Sequence, residues 1–157
     1  MKPLIVYYSY SGITKRLAED IALITDGDLR ELKPQKTYSF SYNTAVKEAR
    51  KEIEKGYCPP LIEGTEPIDN SGVIFIGSPN WLKTFAPPVL SFLRKVDLSG
   101  KTIIPFCTHG GGGFGRMIED YKKECNNSII KDGLALKGGY SFDELQNWLK
   151  EIYSIVD

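Results

Sequence analysis

The chain has 157 residues and a mass of 17.6 kDa, which is the size of one domain able to bury its own core. Its 20 lysines and arginines balance its 20 aspartates and glutamates, so the excess of positive charge that marks most nucleic-acid binders is missing and we expect no such partner. Every apolar run falls far short of the roughly 18–20 residues that cross a membrane, so we expect no membrane span either.

Cysteine and histidine are too sparse to suggest cross-links or a metal site. The three cysteines, an odd number, fit reduced thiols better than a disulfide framework. His109 is the only histidine, so a zinc site would lack ligands.

The chain starts with Met1-Lys2-Pro3 directly before an apolar strand, without an apolar leader. These features predict a single cytoplasmic domain over residues 1–157, without a metal.

The first half of the chain alternates predicted strands and helices. Residues 4–8 are continuously apolar, as in a parallel strand covered on both faces. Helical spacing then follows at Ile13, Leu17, Ile21 and Ile24. Residues 29–33 predict a short polar edge strand, and residues 44–55 predict a second helix after an aromatic connector at residues 38–42.

The second half continues this alternation. Residues 73–76 and 102–106 predict two further buried strands, and residues 129–136 predict a last strand with an interruption. Helices are predicted from Pro87, around Met117, and from Phe142 after a Ser141 cap. The inward face predicted for the final helix consists of Phe142, Leu145, Leu149, Ile152 and Val156. Five strands alternating with five helices indicate a doubly wound parallel α/β sheet with helices on both faces.

In such a sheet, ligands bind at the carboxyl ends of the strands, where three loops have unusual composition. The loop after the first strand contains Ser9, Ser11, Gly12, Ile13 and Thr14 at the start of a helix. Hydroxyls, free N–H groups and the helix dipole favour a phosphate there. The loop has neither a nucleoside-triphosphate nor a dinucleotide motif. Simple capping of the helix by a hydroxyl is the alternative.

The loop after the third strand, at residues 77–88, contains Pro79, Asn80, Trp81 and Leu82. An aromatic ring exposed in a polar loop is suited to stacking on a flat ligand. The alternative is that Trp81 packs against a neighbouring helix.

The loop after the fourth strand contains Thr108 and His109 followed by four glycines, which are Gly110, Gly111, Gly112 and Gly113. Such a run is expected where backbone N–H groups must approach a ligand closely. A disordered loop is the alternative, and His109 by itself fits a capping or core role better than that of a catalytic base.

The three loops together predict a ligand with a phosphate, a planar ring and a ring edge rich in hydrogen-bond acceptors. Flavin mononucleotide (FMN) has all three.

Three segments resemble the flavodoxin family, in particular its short-chain bacterial branch. They are residues 7–15 (YYSYSGITK), residues 77–93 (GSPNWLKTFAPPVLSFL) and residues 105–115 (PFCTHGGGGFG). The resemblance implies strand order 2-1-3-4-5 and non-covalent FMN, with the phosphate on the Ser9–Thr14 loop. It places the isoalloxazine ring between residues 79–82 and residues 108–113.

Three positions depart from the family's pattern. Asn80, Leu82 and Lys83 stand where relatives usually have an aliphatic residue, a second tryptophan and a glycine. We therefore expect one stacking platform to be lost and Lys83 to disfavour left-handed backbone. The net charge of zero also departs from the acidic surface that suits docking to basic redox partners.

The resemblance implies an electron-transfer protein that serves redox partner proteins or a small-molecule electron acceptor. The cofactor would supply the chemistry, so no catalytic side chain is expected. The alternative is an NAD(P)H-dependent FMN quinone or nitro reductase on the same fold. A non-flavin binding module stays open as well. A phosphorylated receiver domain is excluded, because residues 77–79 (GSP) contain no aspartate at the end of the third strand.

Overall fold

A computed structural model of the protein describes residues 2–153 as strands and helices in alternation. The strands are β1 (Leu4–Tyr7), β2 (Asp28–Glu31), β3 (Lys33–Pro34), β4 (Leu61–Glu63), β5 (Val73–Trp81), β6 (Thr84–Phe85), β7 (Thr102–His109), β8 (Ile129–Ile130) and β9 (Leu134–Lys137). The helices are α1 (Ile13–Thr25), α2 (Tyr42–Lys55), α3 (Pro87–Lys95), α4 (Met117–Glu124) and α5 (Phe142–Tyr153).

The main sheet is parallel and has the order β2-β1-β5-β7-β8. Strand β9 also pairs with β7, further along the same edge, so β8 and β9 form one interrupted strand. The predicted doubly wound sheet with order 2-1-3-4-5 is confirmed, as is the interruption of its last strand.

Helices cover both faces of the sheet, which explains the continuous apolar runs. Along β1, Leu4 and Val6 point into a core shared with α2, α3 and α4, whereas Ile5 and Tyr7 point into a core shared with α1 and α5. Consecutive side chains of a strand point to opposite faces. A strand covered twice therefore has to be apolar at every position.

Two short antiparallel pairings were not predicted. Strands β3 and β4 form a small separate ribbon, in which Lys33 was expected to end the preceding edge strand and residues 61–63 were expected to be loop. Strand β5 runs through to Trp81 and pairs with β6, so the first part of the predicted loop at residues 77–88 is strand. Its pairing with β7 continues as far as Pro79 opposite Thr108. Because of this long pairing, Pro79 and Thr108, both predicted site residues, lie side by side near the ends of their strands.

The final helix differs in part from the prediction. Its Ser141 cap is confirmed, because the N–H of Glu144 donates to the Ser141 hydroxyl at 3.1 Å. Leu145 and Leu149 are buried as expected, but Phe142 is 42% exposed and does not point inward. Val156, also predicted to point inward, lies outside the described residues.

Within residues 2–153, no helix is long and apolar enough to span a membrane. The same part of the chain holds no cluster of three or more histidine, cysteine or acidic side chains that could bind a metal ion.

The burial of the thiols generates the first prediction. Burial raises the pKa of the Cys107 thiol to about 12 and that of the Cys125 thiol to about 11, whereas Cys58 is half-buried. The thiolate is the reactive form. In native protein at pH 8 we therefore expect a disulfide reagent such as DTNB to modify one thiol rapidly, and all three after denaturation. The Cys58→Ser variant should show no rapid phase, and rapid modification of two thiols would contradict the burial.

Candidate functional site

A cavity of about 750 Å³ opens at the carboxyl ends of β1, β5, β7 and β9. It brings together residues from all three loops that the sequence singled out. The predicted residues that line it are Ser11, Gly12, Ile13, Pro79, Asn80, Trp81, Thr108, His109 and Gly110. The predicted residues outside its lining are Ser9, Thr14, Leu82, Gly111, Gly112 and Gly113.

The first loop is organised by two hydroxyl groups. The Ser9 hydroxyl oxygen accepts the N–H groups of Gly12 and Lys15, each at 3.1 Å, so Ser9 caps the start of α1. Gly12 lies at φ 98°, in the left-handed region that glycine tolerates. Thr14 is buried, and its hydroxyl lies 2.9 Å from that of Thr108. These contacts leave Ser11, which is exposed, as the hydroxyl of this loop that faces the cavity.

The cavity is electropositive at the end formed by α1. The helix N-terminus points partial positive charge toward it. Arg16, one turn further on, also lines the cavity, whereas Lys15 does not. Among the described residues that line the cavity there is no carboxylate. This end of the cavity therefore suits an anion, held by helix N–H groups, a hydroxyl and one guanidinium.

Trp81 is placed differently from the prediction. It is only 2% exposed, and its ring makes edge-to-face contacts with Tyr8, Tyr10 and Tyr38 at centroid distances of 5.9, 5.4 and 5.2 Å. The expectation that its ring face is exposed is therefore wrong, because Trp81 packs into the interior, although it also belongs to the lining of the cavity. A role in binding a cofactor stays a prediction.

Two tyrosines supply the accessible ring surface instead. Tyr10 and Tyr42 both line the cavity, with their ring centroids 6.1 Å apart. Tyr42 is the first residue of α2 and is 56% exposed. Tyr10 belongs to the loop after the first strand, and Tyr42 belongs to the aromatic connector at residues 38–42. Which of its rings reach the cavity depends on how α2 packs on the sheet.

A tight hairpin follows Trp81 and joins β5 to β6. Leu82 and Lys83 both have left-handed backbone, at φ 57° and 71°, as in a type I′ turn. The Lys83 carbonyl accepts the N–H of Arg116 at 2.7 Å. Lys83 adopts this conformation although its side chain disfavours it, because strand pairing and the Arg116 contact hold the turn in place.

The glycine loop is anchored at both ends. The side-chain amide of Asn80 donates to the Gly113 carbonyl, which also accepts from the Cys107 thiol at 3.6 Å. The N–H of Gly111 donates to Nδ1 of His109 at 3.0 Å, so it is not free to meet a ligand edge as expected. His109 therefore shapes the loop, and Gly110 is the glycine of the run that lines the cavity.

Sequence reasoning missed the loop after β9, where Gly138, Gly139 and Tyr140 complete the lining. The Tyr140 hydroxyl donates to Asp20 on α1, and burial is the main cause that raises the pKa of this tyrosine. The two adjacent glycines at a strand end were an available signal. They belong to the site because β9 pairs directly with β7.

The sequence profile of flavodoxin matches residues 2–152. Among solved structures, a candidate flavoprotein from Bacteroides uniformis is 25% identical, with a TM-score of 0.86 over 95% of this chain and 97% of that one. A flavoprotein from Lactobacillus acidophilus in complex with FMN is 25% identical, with a TM-score of 0.74 over 94% and 97% of the two chains.

Oxidised flavodoxin 2 from Bacillus cereus is 17% identical and has a TM-score of 0.60, with both chains covered completely. This similarity concerns the fold alone. No curated protein matches the chain in sequence.

The packing of Trp81 generates a stability prediction. Truncation of a buried aromatic side chain typically costs about 3–5 kcal/mol, so Trp81→Ala should lower the free energy of unfolding by that amount. Trp81→Phe keeps an aromatic ring and should cost less than half as much. Urea unfolding of the ligand-free protein measures both, and an unchanged midpoint for Trp81→Ala would contradict a core role.

The hairpin leads to the prediction that one substitution will increase the free energy of unfolding. Left-handed backbone costs a residue with a side chain roughly 1–2 kcal/mol, so Lys83→Gly should raise the free energy of unfolding by about 1 kcal/mol. Lys83→Ala keeps the Cβ atom and should bring no gain. Gly115→Ala should destabilise, because an added Cβ would lie 2.5 Å from the Lys83 carbonyl oxygen. Thermal melting of the three variants tests whether strain at this turn is real.

Proposed function

The chain belongs to the flavodoxin family, and we propose that it binds FMN non-covalently in the cavity at the strand ends and transfers electrons. One observation carries the proposal. The three loops that the sequence marked for a phosphate, a planar ring and a ring edge open into a single cavity of about 750 Å³. Pockets for nucleotide-sized ligands commonly measure about 300–1,000 Å³.

The residues present fit the parts of this cofactor. Ser11, Arg16 and the N-terminus of α1 suit the phosphate, because they provide a hydroxyl, a positive charge and free N–H groups. Tyr10 and Tyr42 provide aromatic surface for the flat ring. An added Cβ at Gly110 would meet no atom within 4 Å, so the packing of the protein does not require a glycine there. Close approach of a ligand would explain why the position is a glycine.

FMN supplies the redox chemistry when bound, and the protein supplies binding, orientation and charge. The L. acidophilus relative in complex with FMN supports the choice of cofactor. We infer that a single domain works in the cytoplasm and passes electrons to a partner protein or to a small-molecule acceptor.

The phosphate end can be tested with two flavins. Charge-assisted hydrogen bonds contribute roughly 1.5–3 kcal/mol each, so FMN should bind at least about 100-fold more tightly than riboflavin, which has no phosphate. Arg16→Ala should weaken FMN about fivefold, the scale of one exposed ion pair, and leave riboflavin unchanged. Titration of the flavin-free protein, followed by the quenching of flavin fluorescence, gives the dissociation constants.

Lys15→Ala is the matched control, since it removes an adjacent cation that does not line the cavity. Equal dissociation constants for FMN and riboflavin would contradict a phosphate site.

Anaerobic addition of NADPH to the FMN-loaded protein distinguishes an electron carrier from an NAD(P)H-dependent reductase. A protein reduced within seconds by NADPH would be the NAD(P)H-dependent reductase rather than a carrier.

A further inference from the structure

Arg16, the arginine in the lining of the cavity, has no carboxylate partner, although one lies close to it in sequence. Within residues 2–153, its guanidinium makes neither an ion pair nor a side-chain hydrogen bond. Asp20 follows four residues later in α1. A helix brings side chains with this spacing next to each other, and opposite charges there usually attract. The absence of the Arg16–Asp20 pair therefore requires a cause.

The same two residue types form an ion pair at the same spacing elsewhere in the chain. Nε of Arg116 lies 3.2 Å from Oδ2 of Asp120. The hydroxyl of Thr84 donates to that same oxygen. A carboxylate that accepts a hydroxyl can therefore still pair with the arginine one turn before it. The position in which the hydroxyl holds the carboxylate decides whether the ion pair forms.

Tyr140 holds the carboxylate of Asp20. It follows β9, packs against the core that α1 shares with α5, and donates its hydroxyl to Oδ2 of Asp20. Burial, this hydrogen bond and the charge of Asp20 raise the pKa of Tyr140, so its hydroxyl keeps the proton that it donates. Tyr140 and Arg16 line the cavity, whereas Asp20 does not. The negative charge is thus held outside the lining, and the positive charge lies within it.

We propose that Tyr140 is a positioning residue for the phosphate of the cofactor, because its hydroxyl holds Asp20 away from Arg16 and so keeps the guanidinium free for the anion. This role rests on the proposed function, since the anion is the phosphate of FMN. Without the hydroxyl, Asp20 pairs with Arg16 and competes with the phosphate. Tyr140 therefore contributes to the preference for FMN over riboflavin, through two side chains of α1.

The experiment compares the two flavins in variants of the flavin-free protein. Tyr140→Phe removes the hydroxyl and keeps the ring. It should weaken FMN about threefold, the scale on which one helical ion pair competes, and leave riboflavin unchanged. The double variant Tyr140→Phe, Asp20→Asn should bind FMN at least as tightly as the wild type, because an uncharged amide does not compete for the guanidinium. In an Arg16→Ala background, Tyr140→Phe should cause no further loss.

Tyr38→Phe is the matched control. It also removes a tyrosine hydroxyl that donates to a carboxylate, that of Glu52, but Tyr38 does not line the cavity. Both dissociation constants should stay unchanged in this variant. Unchanged FMN affinity in Tyr140→Phe would overturn the proposal. An equal loss for FMN and riboflavin, or a loss that Asp20→Asn does not reverse, would overturn it as well.

A second measurement needs no flavin. The Nε–H resonance of Arg16 in NMR spectra of the ligand-free protein, assigned by its loss in Arg16→Ala, reports whether the guanidinium is paired. It should shift in Tyr140→Phe and return in the double variant with Asp20→Asn. The same resonance position in Tyr140→Phe and the wild type would overturn the proposal. If the resonance behaves as expected but FMN does not bind the wild type, the control of Arg16 by Tyr140 stands and the proposed function fails.

Discussion

Parallel pairing of β5 with β1 and β7 is the constraint on which the rest of the structure depends. The pairing of β5 with β7 continues through Gly77, opposite Phe106, to Pro79, opposite Thr108, and β9 extends the same edge. Parallel strands end at a common edge, so segments far apart in sequence meet there. The cavity, its helix N-terminus and its glycine loop all follow from this convergence, and so does the apolar character of strands that are covered on both faces.

An aromatic cluster is packed around Trp81 at this edge of the sheet. Trp81 is enclosed by Tyr8, Tyr10 and Tyr38, and so contributes rigidity rather than an open stacking face. Edge-to-face aromatic pairs add about 0.5–1.5 kcal/mol each beyond the area they bury. Its hydrogen bond to the Ser39 carbonyl and its contact with Trp81 hold Tyr10, which lines the cavity, in a defined position.

The loops of the site are held by contacts between one loop and the next. Asn80 bonds to the Gly113 carbonyl, Arg116 bonds to the Lys83 carbonyl, and Thr14 meets Thr108. Such contacts can hold backbone that is unfavourable on its own, as in the turn at Leu82 and Lys83. They also limit how far each loop has to reorganise when a ligand binds, which lowers the entropic cost of binding.

The sequence by itself determined the alternation of strands and helices, the helices on both faces and the three loops that meet at the strand ends, whereas the order of the strands came from the resemblance to the flavodoxin family. Apolar periodicity and glycine composition are local properties that reflect burial and backbone freedom directly. Tertiary structure alone decided that Trp81 is buried while Tyr42 is exposed at the cavity, and that Arg16 lines the cavity while Lys15 does not. It also decided that Gly138 and Gly139 join the site. Each of these outcomes depends on how one helix or strand packs against another. The type of a residue does not specify which residues, distant in sequence, will pack against it.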